Sequence, residues 1–123
     1  MNAKLRRRKE LLLHYSKILI NYVEIHADAC FVLDSVLFKA CCYTIIQLAS
    51  VWTPNWIFDF FKEAYPAINW RQIRSFRNHA AHPPVDSDLD FDFDLFRAVV
   101  YIQLPLLVQC LEQSETLTTS HFA

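Results

Sequence analysis

Within residues 66–82, PAINWRQIRSFRNHAAH, six side chains are of types that handle phosphate: Arg71, Arg74, Arg77, Asn78, His79 and His82. A guanidinium is always charged and can grip two phosphate oxygens at once. Histidine is the side-chain type best suited to move a proton near neutral pH. Together they suit cleavage of RNA by its own 2′-hydroxyl. That reaction needs a base at the 2′-OH, an acid at the 5′-oxygen and a cation on the crowded phosphate. The stretch holds no carboxylate and no glycine loop. His79 and His82 lack an obvious third ligand, so no metal or other cofactor is assigned. Arg74 with His79 and Arg77 with His82 share one separation, and spacing alone does not choose between the pairs.

These residues need a helix to position them. Asn69 is a good N-cap, Gln72 stands where a capping-box partner belongs, and Ile68 and Ile73 occupy the positions of a hydrophobic staple. The helix is therefore expected to begin at Trp70. It should stop near Ala81, because Pro83 disfavours helical backbone at His82 and Pro84 cannot donate to a continuing helix. At about 100° per residue, Ile73, Phe76 and Ala80 share one face, while Arg71, Arg74, Ser75 and Asn78 spread over the opposite one. Arg77 falls at the boundary, where an arginine either covers apolar surface with its stem or holds a partner or substrate.

The chain around this helix reads as all-α. It has 123 residues, enough for one cored domain and too few for two. Residues 1–4 and 114–123 are expected to fray at its ends. With 54% hydrophobic and 20% charged residues it has the composition of a compact globular chain. It contains no glycine, which excludes Walker A loops, dinucleotide fingerprints and primed hairpin turns. Charge is uneven. Residues 1–85 carry 11 of the 12 basic residues against 6 acidic ones, so any contact with a polyanion must be local to that part. The densest basic run, KLRRRK at residues 4–9, either touches RNA phosphates or is solvated charge at a chain end.

Four further helices are expected. The first runs from about Leu5 to His26, with an apolar surface wider than one face; packing against a second copy of the chain would explain the excess. His14, Lys17, Asn21 and Glu24 interrupt it too often for a signal peptide, and a cytoplasmic protein is expected. The second, capped by Asp28 or Asp34, extends to about Val51; Asp34 and Lys39 break its apolar run short of a membrane span. A third covers Trp56 to Tyr65, with Ile57, Phe60, Phe61 and Ala64 inward and its aromatics read as packing rather than base-stacking platforms. After a loop through the acidic run DSDLDFDFD, the last should run from about Asp92 to Gln113, with an acid-rich first turn and a bend at Pro105. Cys30, Cys41, Cys42 and Cys110 form no C-x-x-C pair and lie among apolar residues, so buried reduced thiols are expected.

Pro66, Trp70, Ile73, Arg77, Asn78 and His82, followed by Leu104–Pro105, closely resemble the HepT-like branch of the HEPN superfamily. Its members read roughly P-x-I-x-W-x-x-I-x-x-x-R-N-x-x-x-H and, further on, L-P. Upstream, Phe31, Asp34 and Ala40 match a looser F-x-x-D-x-x-x-x-x-A pattern, and the likeness extends from Phe31 to Glu112. The resemblance implies a bundle of four or five helices in a twofold homodimer. It implies a metal-independent endoribonuclease with a composite site at the dimer interface, where two copies of His82 would supply both acid and base. It selects Arg77 as the phosphate cation, His82 as the proton carrier and Asn78 as the group that orients one or the other. Arg71, Arg74 and His79 are left as substrate contacts.

The resemblance further implies a toxin paired with a small nucleotidyltransferase antitoxin. Many members carry a tyrosine two residues after the histidine, to which that antitoxin attaches AMP. This chain has Pro84 there, and Leu48-Ala49-Ser50 where relatives often have an I-G-E-like stretch. Two other classes stay open: a catalytically inactive HEPN-like RNA-binding or regulatory module, and a structural helical dimer in which Arg77 and His82 bridge helices.

Overall fold

The computed structural model describes residues 3–82 and 91–122, with side chains as far as residue 113. Every regular element among them is helical: α1 (Ala3–Cys30), α2 (Val36–Ser50), α3 (Asn55–Ala64), α4 (Trp70–Ala81), α5 (Phe93–Ala98) and α6 (Leu104–Phe122), with a π-helical segment, Val99–Gln103, between the last two. The all-α expectation holds. Pro83 and Pro84 and most of the acidic loop, residues 86–90, lie outside the described residues.

α1 is the central rod, packed along α2 on one side and α6 on another. Its breadth has a simple source. Leu5, Leu12, Leu19 and Val23 are buried, while Leu11, Leu13, Tyr15, Ile20 and Tyr22 pack partly against the same core. The expected end at His26 is a break rather than a stop: His26 leaves helical geometry (φ −131°, ψ 40°), and the chain resumes its helix to Cys30.

The cap of α2 is Ser35, not Asp28 or Asp34. Its hydroxyl accepts from the Phe38 amide at 3.0 Å and donates to the Ala29 carbonyl at 2.5 Å, tying the helix start back to the end of α1. Asp34 instead takes a left-handed turn (φ 69°), which aspartate tolerates better than most residues.

At the other end of α2, Arg8 donates to the carbonyls of Ser50 (3.1 Å) and Val51 (3.0 Å), so one member of the basic N-terminal run serves as a C-terminal cap. Lys9 is buried, and Lys4 lies over the Trp56 ring at 5.4 Å. Three of the five cations in the KLRRRK run, Lys4, Arg8 and Lys9, are thus engaged with the fold. Arg8→Ala is expected to lower stability by about 1 kcal/mol, and Arg7→Ala, whose side chain pairs with Glu10 on the surface, by under ~0.5 kcal/mol. Urea unfolding of the two variants checks the difference.

α3 turns away from α2 by 93° after Pro54. It matters for what it supports. Trp52, Phe58, Phe61, Tyr65 and Trp70 form a cluster of ring contacts, and the Trp70 indole N–H donates to the Tyr65 carbonyl at 2.9 Å. Burial of Trp70 without that bond would strand a donor.

The last helix differs from expectation in two ways. Asp92 is its N-cap, accepting from the Leu95 amide at 2.9 Å, but the helix accommodates Pro105 through the wide π-helical turn before it. Proline at 105 removes one intrahelical donor and crowds the carbonyl four residues earlier, and a π turn relieves both. The backbone also stays helical to Phe122, beyond the expected end at Gln113. Ser and Thr lower helix propensity without forbidding it, and no proline follows to stop the helix. The stretch Phe93–Gln113 is long and apolar enough to cross a bilayer. Its residues Phe96, Val99, Val100, Leu104, Leu107 and Leu111 are spent in the core.

Candidate functional site

α4 is built as the sequence reads. It begins at Trp70 and ends at Ala81, with Asn69 Oδ1 accepting from the Gln72 amide at 3.1 Å. Ile68 and Ile73, the staple positions, are both buried. The reciprocal half of the capping box is different. The Asn69 amide donates to Gln103 Oε1 at 2.8 Å, from the π-helical turn, and Gln72 Oε1 is buried with no partner among the described residues. No local pattern points to Gln103, because its bond spans 34 residues.

Two aromatic clusters hold α4. Trp70 anchors its start among the rings of α3, and Phe76 anchors its second half against Phe96 (4.8 Å) and Phe91 (6.3 Å). With Trp70, Ile73, Phe76 and Ala80 buried, the helix can present only its opposite face and its end.

The candidate residues divide between two places. Arg77 lies at the boundary as expected, half-buried, and its Nη1 donates to Asn78 Oδ1 at 3.2 Å. Among the described residues no other partner takes up its remaining N–H donors. His82 is the residue that closes α4, with φ −132° and ψ 62°, and it is exposed. Among the described residues no hydrogen bond or ion pair engages it. Asn78 and His82 are four residues apart, which brings them to the same side one turn apart. The structure therefore links Arg77 to Asn78 directly, and it sets His82 at the helix end beyond them.

Arg71, Arg74, Ser75 and Asn78 line a groove of about 670 Å³ between α3 and α4, completed by Phe58 and Lys62 among others. Arg74 lies over the Phe58 ring, with its guanidinium carbon 3.9 Å from the centroid. Among the described residues Lys62, Arg71 and Arg74 form no ion pair, and none of those that line the groove is acidic. Lys62 escapes sequence reasoning because it lies on another helix, nine positions before Arg71. His79 does not join this set. It faces the edge of Phe91, 6.3 Å away, on the side of the second aromatic cluster.

Among the described residues no three His, Cys, Asp or Glu side chains converge to hold a metal ion. The four cysteines are free thiols, and Cys30, Cys41 and Cys42 are buried. Cys41 and Cys30 approach to 3.5 Å between sulfurs. Burial pushes the Cys41 and Cys42 thiols up, the latter to about 11. At pH 8 the thiolate fraction of Cys42 is then on the order of 0.1%. A thiol-reactive dye is expected to label the half-exposed Cys110 first and the other three only in denaturant, as counted by absorbance.

Comparison of the chain with protein-family models, with curated proteins and with solved structures gave no match.

Proposed function

We propose that the protein is a metal-independent endoribonuclease of HEPN type, acting as a twofold homodimer in the cytoplasm. It cleaves RNA by attack of the 2′-hydroxyl on the adjacent phosphate. Arg77 stabilises the phosphorane charge, His82 of one protomer takes the 2′-OH proton, and the second copy of His82 gives a proton to the departing 5′-oxygen. Asn78 orients the Arg77 guanidinium. The biological role that goes with this reading is the toxin of a pair whose antitoxin is a nucleotidyltransferase. Neutralisation by AMP attachment to tyrosine has no acceptor at Pro84, so the antitoxin acts on another group or by binding.

The observation that carries the reading is the availability of Arg77 and His82. A structural pair bridging helices needs bonds to other helices, yet among the described residues Arg77 bonds its neighbour Asn78 alone and His82 bonds to none. Polar groups left open at a helix end, next to a cationic groove, are more useful to a substrate than to the fold.

The dimer has support of the same kind. Ring contacts connect His79 to Phe91, Phe91 to Phe38 and Phe93, and Phe93 through Phe31 to Tyr101. Val32, Leu33, Val36 and Tyr101 are exposed, and Tyr101 joins this relay of rings through Phe31. An apolar surface there suits a second copy, and it would bring the two His82 side chains toward one cleft.

The cationic groove also favours the second reading, an RNA-binding module without catalysis. Incubation of RNA with the purified protein in EDTA separates the two. The nuclease yields fragments ending in 2′,3′-cyclic phosphate; intact RNA retained in a complex supports the binding module.

A further inference from the structure

We infer that the groove between α3 and α4 is the track for the single-stranded RNA that leads into the cleavage site, with Lys62, Arg71 and Arg74 as its phosphate contacts and Arg74 as its base platform. This rests on the nucleolytic reading for the identity of the strand, and on the geometry for its path.

The groove carries cations on both walls, Lys62 from α3 and Arg71 and Arg74 from α4, and none is neutralised by a carboxylate among the described residues. A volume of about 670 Å³ is enough for a nucleotide rather than a lone ion. Phe58 and Trp70 also line it but are largely buried, so the flat surface it offers to a base is the Arg74 guanidinium that lies over Phe58. That combination fits a strand whose backbone is charged and whose bases are flat.

Arg74 has one face of its guanidinium on the Phe58 ring at 3.9 Å, which restrains a side chain that would otherwise be mobile. The face turned away from the ring is then ready for a base, since nucleobases stack on guanidinium planes as they do on aromatic rings. A base can reach it only when it is not paired within a helix, so the groove selects single-stranded RNA. Asn78 connects the two places. It lines the groove and accepts from Arg77, so a phosphate following the groove past Asn78 arrives at the Arg77 guanidinium.

The test is fluorescence anisotropy with a 5′-labelled 12-nucleotide single-stranded RNA and with the same strand in a duplex, in EDTA. The His82→Ala protein serves as receptor so that the probe stays intact. Expected are preference for the single strand, at least tenfold weaker binding when Lys62→Ala and Arg71→Ala are added together, and a fall of about 1.4 in the slope of log affinity against log salt. Lys39→Ala, an exposed cation paired with Asp34 on α2, is the control for net charge and should change little. Circular dichroism confirms that each variant folds, as the exposed positions of Lys62 and Arg71 lead one to expect.

Unchanged affinity in the Lys62→Ala, Arg71→Ala protein overturns the inference, as does an equal loss in Lys39→Ala or equal binding of duplex. Cleavage assays keep the two readings apart. If the wild type cuts RNA while the groove variant retains its KM, the groove is wrong and the nuclease stands. If the wild type binds through the groove but cuts nothing, the groove stands and the nuclease falls.

Discussion

His82→Ala is expected to lower metal-independent RNA cleavage by about 10²–10⁴-fold while leaving the folding transition almost where it was. The first half follows from the chemistry, because removing the imidazole leaves the 2′-OH and the departing 5′-oxygen without a proton carrier. The second follows from the fold. His82 is exposed at the end of α4 and contributes no bond among the described residues, so its loss strands no partner. Arg77→Ala should cost about 10²–10³-fold in kcat, comparable to removing one donor from a site that stabilises developing charge. Arg77→Lys should recover only part of this, since ammonium keeps the charge and loses the two-pronged grip.

Initial rates on a fluorogenic RNA with EDTA, beside thermal melts of each variant, measure both halves at once. Full activity in His82→Ala would remove it from the mechanism. An Arg77→Ala protein that no longer folds would instead give the residue to the architecture. In a mixed dimer of wild type and His82→Ala, a composite site predicts loss close to that of the double mutant, whereas two independent sites predict half the activity.

Phe76→Ala is expected to destabilise the domain by about 3–5 kcal/mol. Phe76 is among the largest fully buried side chains, and it lies 4.8 Å from Phe96 and 6.3 Å from Phe91. Its removal leaves a cavity between α4 and α5 that the rigid rings around it cannot close. The consequence reaches the site, because α4 carries Arg77 one residue further on. Urea unfolding measures the stability loss. Phe76→Leu, which keeps most of the volume, should lose far less, and a loss under about 1 kcal/mol in Phe76→Ala would mean the cluster is not packed as described.

α4 shows how much of the site is readable along the chain. Its start at Asn69, its end before His82, its buried Ile73, Phe76 and Ala80 and the boundary position of Arg77 all depend on neighbours within one or two turns. Such features are local, and local patterns survive in the sequence. The break at His26 was readable for the same reason, but only as an end, since sequence periodicity does not distinguish a helix that stops from one that shifts its axis and goes on.

What the sequence by itself determined is therefore the helical class and the span of α4, while Arg77, Asn78 and His82 stand as candidates on that helix and at its end. Only the tertiary structure decided which of these touch, and what else joins them. Gln103 replaces Gln72 as partner of the Asn69 amide because a distant helix brings a free acceptor closer than the local one. Lys62 joins Arg71 and Arg74 because α3 and α4 fold into one groove, while His79, on the same helix as both arginines, turns toward Phe91 instead. Arg8 leaves the basic run to cap α2. In each case the deciding contact joins segments remote in sequence, and its energy depends on packing that composition and spacing do not encode.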